Sequence, residues 1–233
     1  FDHLESEDPL VRSEAARALA AAAHHLQVRA RTAAITWHRD GAELQIESLL
    51  AEFRSRLRQG SDRSREGVAE ALGFLKHQEA TDMLLDALDD PEPAVRAAAS
   101  VSLGRIADPL TVSKLAAAMT DLSPWVRRSA ASSLGAIASA GGLSALIAAL
   151  SDEETLVRAS ITAALARLDH PRARAALRQL LADEEPNIRW LAARGLGRVG
   201  DAGALAELAA LRNDSYVLFG ETIGQVAARS ARQ

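Results

Sequence analysis

The sequence predicts an all-α fold, an α-solenoid of about six helical hairpins with a period of 31 residues. Val95, Val126, Val157 and Ile188 follow one another at intervals of 31 positions. Hydrophobic residues make up 48% of the chain but aromatic residues only 3%, and Ala and Leu predominate, which favours closely packed helices over strands. One unit of this length cannot bury its apolar face alone, so neighbouring units are expected to stack around a continuous core. No β structure is expected.

The first unit, residues 1–60, departs from this period. Arg12 matches the Arg that recurs in later units, but it precedes Arg65 by 53 residues, which is 22 more than one period. We interpret the excess as an insertion at 23–43. It would separate a first helix from a second helix that carries Phe53.

Five regular units are predicted over 61–214, each opening with a first helix. A Pro suits the first helical position, because its missing N–H would be unsatisfied there and its fixed φ matches the helix. The acidic residues in the turn before it favour the positive end of the helix dipole. The spacing predicts one such helix over 93–106, and breaks are expected near Gly104, Gly135 and Gly197.

A second helix is predicted after a short turn in each unit. Its buried stripe consists of two rows of apolar residues four positions apart, which are Leu84, Leu115, Leu146, Leu177 and Leu208, followed by Leu88, Met119, Leu150 and Leu181. Residues 215–233 are expected to form a final helix that caps the array. The whole chain, 1–233, is thus predicted to be a single domain.

Charged residues keep the same period. The phrase Asp-x-x-Pro-x-Val-Arg-x-x-Ala-x-x-x-Leu-Gly, at 90–104 and 121–135, resembles the HEAT repeat, and more narrowly the HEAT-like repeat named after phycobilin lyases. The resemblance implies a structural ladder, in which the Arg of one repeat meets an Asp at a neighbouring turn. The ladder residues would be Arg96, Arg127, Arg158 and Arg189, with Asp90, Asp121, Asp152 and Asp183.

The composition excludes several classes of chemistry. The chain has no cysteine, which rules out disulfides, thiolate metal sites and Cys nucleophiles within it. Of its six histidines, the adjacent His24 and His25 would point about 100° apart on a helix, so no metal site is predicted. No cofactor is expected either. No Ser-His-Asp arrangement, phosphate-binding Gly loop or carboxylate pair suggests catalysis, and a non-enzymatic role is favoured.

The charge and hydropathy pattern limits the partners. A formal charge of −4 provides no global field that would attract nucleic acid or an anionic membrane, so neither is favoured as a partner. No apolar run approaches the roughly 20 residues that span a bilayer. A cytoplasmic location is the default expectation, and the oligomeric state stays open.

Off-pattern aromatic residues are candidates for partner contacts. One tryptophan lies in the predicted insertion, and two flank the Val-Arg or Ile-Arg signature, where filling gaps between repeats is an equally open interpretation. The candidate contact residues are Trp37, His38, Arg39, Trp125, Arg128 and Trp190.

The function favoured by these observations is a non-catalytic scaffold that binds another protein along a concave surface made by the second helices. An alternative, suggested only by the repeat subtype, is a bilin lyase subunit or a related chromophore-handling protein. A second alternative is a nucleic-acid-binding or repair protein, since HEAT-like repeats also occur in DNA glycosylases.

Overall fold

A computed structural model describes residues 1–19, 21–22, 42–75, 77–199 and 202–232. Within them the chain divides into two compact units, Phe1–Thr111 and Val112–Gln233. Each unit is a set of stacked helical hairpins, so the predicted all-α solenoid class is confirmed. The predicted insertion at 23–43 lies outside the described residues except for 42–43, and the number of repeats stays a prediction.

The first unit begins with a short 3₁₀ turn, Asp2–Glu5, and a helix over 9–19 that we call α1. Four further helices follow within this unit, which are α2 (Ala42–Gln59), α3 (Asp62–Leu72), α4 (Gln78–Ala87) and α5 (Pro93–Ile106). The bounds of α5 are those that its apolar spacing predicts. The ring of Phe53, on α2, is fully buried and meets Phe1 edge-on.

Among the described residues, the second unit contains one leading helix, three hairpins and a terminal cap. Its helices are α6 (Val112–Ala118), α7 (Pro124–Ile137), α8 (Leu143–Ala148), α9 (Thr155–Leu165), α10 (Pro171–Leu180), α11 (Pro186–Val199), α12 (Leu205–Ala210) and α13 (Ile223–Ser230). We refer to α7, α9 and α11 as first helices and to α6, α8, α10 and α12 as second helices. Neighbouring first helices pack directly on one another.

The helix termini follow local chemistry. Pro93, Pro124 and Pro186 stand at the first positions of α5, α7 and α11. The helices end near the predicted glycines but not at them, because α5 and α7 continue through Gly104 and Gly135 and end two residues later. They end there because Ala107 and Ala138 adopt the left-handed conformation and close the last turn.

The glycine of α7 has another role. A Cβ added to Gly135 would lie 2.6 Å from the Cβ of Ala164 on α9, far inside van der Waals contact. Gly135 therefore allows close approach of two first helices. The requirement for glycine at position 135 comes from packing between helices and not from the end of a helix.

The buried residues are those of the repeated columns. Val95, Val126, Val157 and Ile188 are fully buried, and so are Leu84, Leu115, Leu146 and Leu177. Each described unit thus has a core that runs from hairpin to hairpin, as the 31-residue period predicts.

The C-terminal segment was predicted to be one capping helix, and no β structure was expected. The structure differs from both predictions. Val217–Leu218 pairs with Glu221–Thr222 in a two-stranded antiparallel hairpin, and α13 begins only at Ile223. The tip residues Phe219 and Gly220 have φ of 51° and 81°, the conformation of a tight hairpin turn. Thr222 and Gln225 then form a capping box that starts α13.

Within the described ranges, every helix is too short or too polar to cross a membrane.

Candidate partner-binding surface

The predicted ladder residues lie at the turns between hairpins. In the second unit, Arg127 donates from Nε to Asp152 Oδ2 over 2.7 Å and from Nη2 to Oδ1 over 2.9 Å. Arg158 and Asp183 form the same paired hydrogen bonds. Arg189 reaches Asp214 in the next turn through Nε and Nη2.

Each ladder residue also holds backbone groups of its own turn. Arg127 Nη1 donates to the carbonyl of Asp121 over 3.1 Å, and the Oδ1 atom of Asp121 accepts from the backbone N–H of Ser123. In the first unit, Arg96 Nη1 donates to the carbonyl of Asp90 over 2.8 Å. Such side chains satisfy groups at the turn that would otherwise be unpaired, which is a structural role.

The ladder contact between Arg127 and Asp152 changes the pKa of both residues. Burial raises the pKa of Asp152, but hydrogen bonds from Arg127 and from the backbone of Glu154, with the charges of Arg127 and Arg158, outweigh burial and hold that pKa below its usual value. The hydrogen bond to Asp152 raises the pKa of Arg127 in turn. Asp152 is therefore more acidic in the folded chain than in the unfolded one.

This difference predicts a pH dependence of stability. An Asp carboxyl whose pKa is lower in the folded state stabilises the fold fully at pH values above its unfolded-state pKa of about 3.9. That stabilisation is lost as the pH falls through the folded-state pKa. We expect the free energy of unfolding, measured with urea from neutral pH downward, to decrease at pH values below about 4. Asp152→Asn should be less stable at neutral pH and should show a smaller fall. Parallel pH profiles for the two proteins would contradict this assignment.

Large apolar side chains are exposed on adjacent first helices. Trp125 on α7 is 59% exposed, and Leu156 on α9, which is 31 positions later, is 53% exposed. A groove of about 280 Å³ lies beside Leu156, lined by Arg128, Arg167 and small residues of α7 and α9. We call the exposed side of α7 and α9, with Arg167 just beyond α9, the first-helix face.

Two arginines, Arg128 and Arg167, lie on this face outside the ladder. The Arg128 guanidinium carbon lies 5.9 Å from the centre of the Trp125 ring, within the range of a cation–π contact. In the part of the chain that the structure describes, neither Arg128 nor Arg167 forms an ion pair. Sequence reasoning singled out Trp125 and Arg128 but missed Leu156 and Arg167. Comparing Trp125 with the residue 31 positions later in the sequence would have found Leu156, because the two occupy the same column of the repeat.

Trp190 is not a surface residue. It is 1% exposed, and its ring lies 5.5 Å from that of Phe219 at the hairpin tip, which itself is 81% exposed. Tyr216 Oη also donates to Asn187 Oδ1 over 2.8 Å, so the hairpin and the residue before it contact α11 at two positions. The gap-filling interpretation of Trp190 therefore replaces its interpretation as a partner anchor.

The second helices α6 and α8 expose mostly small side chains. On α6 and α8 the exposed residues are Ser113, Lys114, Ala117, Ser144 and Ala148. Trp125 and Arg128 lie on α7, a first helix, so they do not belong to the second-helix surface that the sequence analysis favoured.

Trp37, His38 and Arg39 lie outside the described residues. Among the residues that are described, no three His, Asp or Glu side chains come together as metal ligands.

Comparisons with known proteins agree with the fold. The family model of HEAT repeats matches residues 50–135, 82–165 and 143–218. No curated protein matches the chain.

Solved structures are similar at low identity. Escherichia coli YibA is 21% identical with a TM-score of 0.61, covering 100% of this chain and 90% of that one. The complex of CpcE and CpcF of phycocyanin lyase from a Nostoc species is 19% identical with a TM-score of 0.50, covering 99% and 91%. Computationally designed armadillo repeat proteins for modular peptide recognition are 18% identical with a TM-score of 0.55, covering 78% and 98%. At these identities the likeness shows the fold alone.

Proposed function

The chain belongs to the HEAT-repeat family, and on that premise we propose that it is a non-catalytic scaffold that binds another protein through the first-helix face. The observation that carries the proposal is the exposure of Trp125 and Leu156 at equivalent positions of two adjacent helices, with Leu156 lining the groove between them. This face replaces the second-helix surface as the proposed contact surface, because the exposed residues of α6 and α8 offer no large apolar side chain.

The proposed energetics follow from these two side chains. A tryptophan and a leucine held on rigid helices lose little conformational entropy on binding, and they remove a large apolar area from water. Tryptophan and arginine are also the residue types most often found where binding energy concentrates in protein interfaces. Trp125 with Arg128 provides both types at one position of the face.

The predicted insertion at 23–43 is proposed as an additional contact. A connection between two helices normally needs only a few residues, whereas this segment is several times longer and carries Trp37, His38 and Arg39.

Affinity capture tests the proposal. The full chain, immobilised and exposed to lysate of its source organism, should retain a protein partner, and Trp125→Ala should lose most of it because the largest exposed apolar contact of the face is removed. Leu205→Ala, which shortens an exposed leucine on the second helix α12, is the matched control and should retain the partner. The double variant Trp37→Ala/His38→Ala tests whether the insertion contributes to partner binding. Mass spectrometry of the retained proteins is the measurement.

Other outcomes separate the alternatives. Equal retention by wild type and Trp125→Ala, with loss in Leu205→Ala, would move the contact surface back to the second helices. A visible absorbance band in the eluate without a protein partner would favour the chromophore-handling function. Retention that disappears after nuclease treatment would favour nucleic-acid binding.

A further inference from the structure

We infer that the segment bound in the groove between α7 and α9 is an acidic peptide, with carboxylates at Arg128 and Arg167 and an apolar side chain between Trp125 and Leu156. This inference rests on the proposed function, and it specifies the chemistry of the partner at that face.

The charge distribution of the first helices is the basis of the inference. Over their full lengths, α7, α9 and α11 contain no Asp or Glu. The buried arginines of these helices are occupied by the ladder, as Arg127 is by Asp152. Arg128 and Arg167 differ from them, because no carboxylate of the described residues neutralises either one at the groove. A carboxylate from a partner would complement both.

The groove also fits an extended chain. Leu156 and Arg167 are 11 residues apart, which corresponds to about 16 Å along a helix axis. An extended peptide rises about 3.3 Å per residue, so about five residues span this distance. The lining between the ends consists of alanine and serine, which allows a peptide backbone to approach α7 and α9 closely.

The surroundings favour a peptide over a nucleic acid. Glu153 and Glu154 stand in the turn directly before α9, close in sequence to Leu156, and the chain carries a formal charge of −4. A nucleic acid presents a continuous row of phosphates and binds through many basic side chains. Two arginines in a chain of net negative charge match a short segment with a few carboxylates.

Peptide selection followed by titration tests the inference. A random library of peptides of about eight residues, a length that covers the groove with margin, is selected against the full chain. Selected sequences should be enriched in Asp and Glu together with one large apolar residue. A labelled peptide from the selection is then titrated by fluorescence anisotropy, beside an analogue in which Gln and Asn replace the acids. The analogue should bind more weakly.

Charge reversal provides the control. Arg128→Glu/Arg167→Glu should weaken binding of the acidic peptide by about tenfold or more, since two charge pairs become repulsive. Lys114→Glu makes the same kind of change on α6, a second helix, and should leave the affinity within about twofold. Thermal unfolding of each variant should match wild type, because these side chains are exposed and form no ion pair in the described chain.

The outcomes separate the inference from the proposed function. Selection of neutral or basic peptides, no enrichment at all, equal affinity for the charge-reversed variant, or stronger binding of single-stranded RNA at the same groove would each overturn the acidic peptide. A lysate partner lost in Trp125→Ala but kept by Arg128→Glu/Arg167→Glu would also overturn it while leaving the scaffold function intact. Absence of any protein partner for wild type would instead reject the scaffold function.

Discussion

Leu146→Ala is expected to lower the free energy of unfolding by about 2–5 kcal/mol. Leu146 lies on α8, is fully buried, and occupies the main leucine column of the second helices. Truncation removes apolar contacts on several sides and leaves a cavity that helices packed on one another cannot close. Urea unfolding followed by circular dichroism measures the loss.

An exposed leucine of the same unit is the control for this variant. Leu122 is 97% exposed, so Leu122→Ala should change the free energy of unfolding by less than about 0.5 kcal/mol. Leu134, on α7, is buried like Leu146 and should behave like it. A loss under about 1 kcal/mol in both Leu134→Ala and Leu146→Ala would show that the assigned helix register is wrong.

Arg127→Ala is expected to destabilise the chain by about 3 kcal/mol or more. The change leaves the Asp152 carboxylate buried without its cation and frees the carbonyl groups of Asp121 and Leu122. An uncompensated buried charge costs more than an exposed ion pair contributes, because water cannot replace the missing partner. The melting temperature and the urea midpoint should both fall.

The next residue in the chain provides the comparison. Arg128→Ala removes the same side chain from an exposed position of the same helix and should leave the melting temperature nearly unchanged. If Arg127→Ala instead kept its melting temperature and lost a binding partner, Arg127 would be a contact residue. A structural role would then be contradicted.

The repeated part of the fold could be predicted from the sequence. The bounds of α5 follow from the helical spacing of its apolar residues, and the burial of the valine and leucine columns follows from the period, because each column repeats the same environment. The pairing of the ladder was implied by the resemblance to HEAT repeats. Non-repeated features do not have this support. The hairpin at Val217–Thr222 turns through Phe219-Gly220, and Phe is not a residue that commonly indicates such a turn.

The binding face was predicted only in part for a related reason. Trp125 and Trp190 both flank the Val-Arg or Ile-Arg signature, but Trp125 precedes Val126 and Trp190 follows Arg189, so they occupy different columns of the repeat. Trp125 is exposed, whereas Trp190 is 1% exposed and its ring contacts that of Phe219 at the hairpin tip. Periodicity describes what the repeats share, whereas the contact of Trp190 with Phe219 involves a segment that occurs once.

The ladder also constrains how the length of this chain can evolve. Arg127, Arg158 and Arg189 each reach an Asp located 25 residues onward, and each holds the carbonyl of an Asp six residues back. Duplication or deletion of 31 residues replaces each missing partner with an equivalent one, whereas another length within a ladder turn or a first helix shifts an Arg or an Asp out of register. Viable insertions and deletions within 124–214 should therefore occur in whole repeats, so that the gene gains or loses length here in discrete steps.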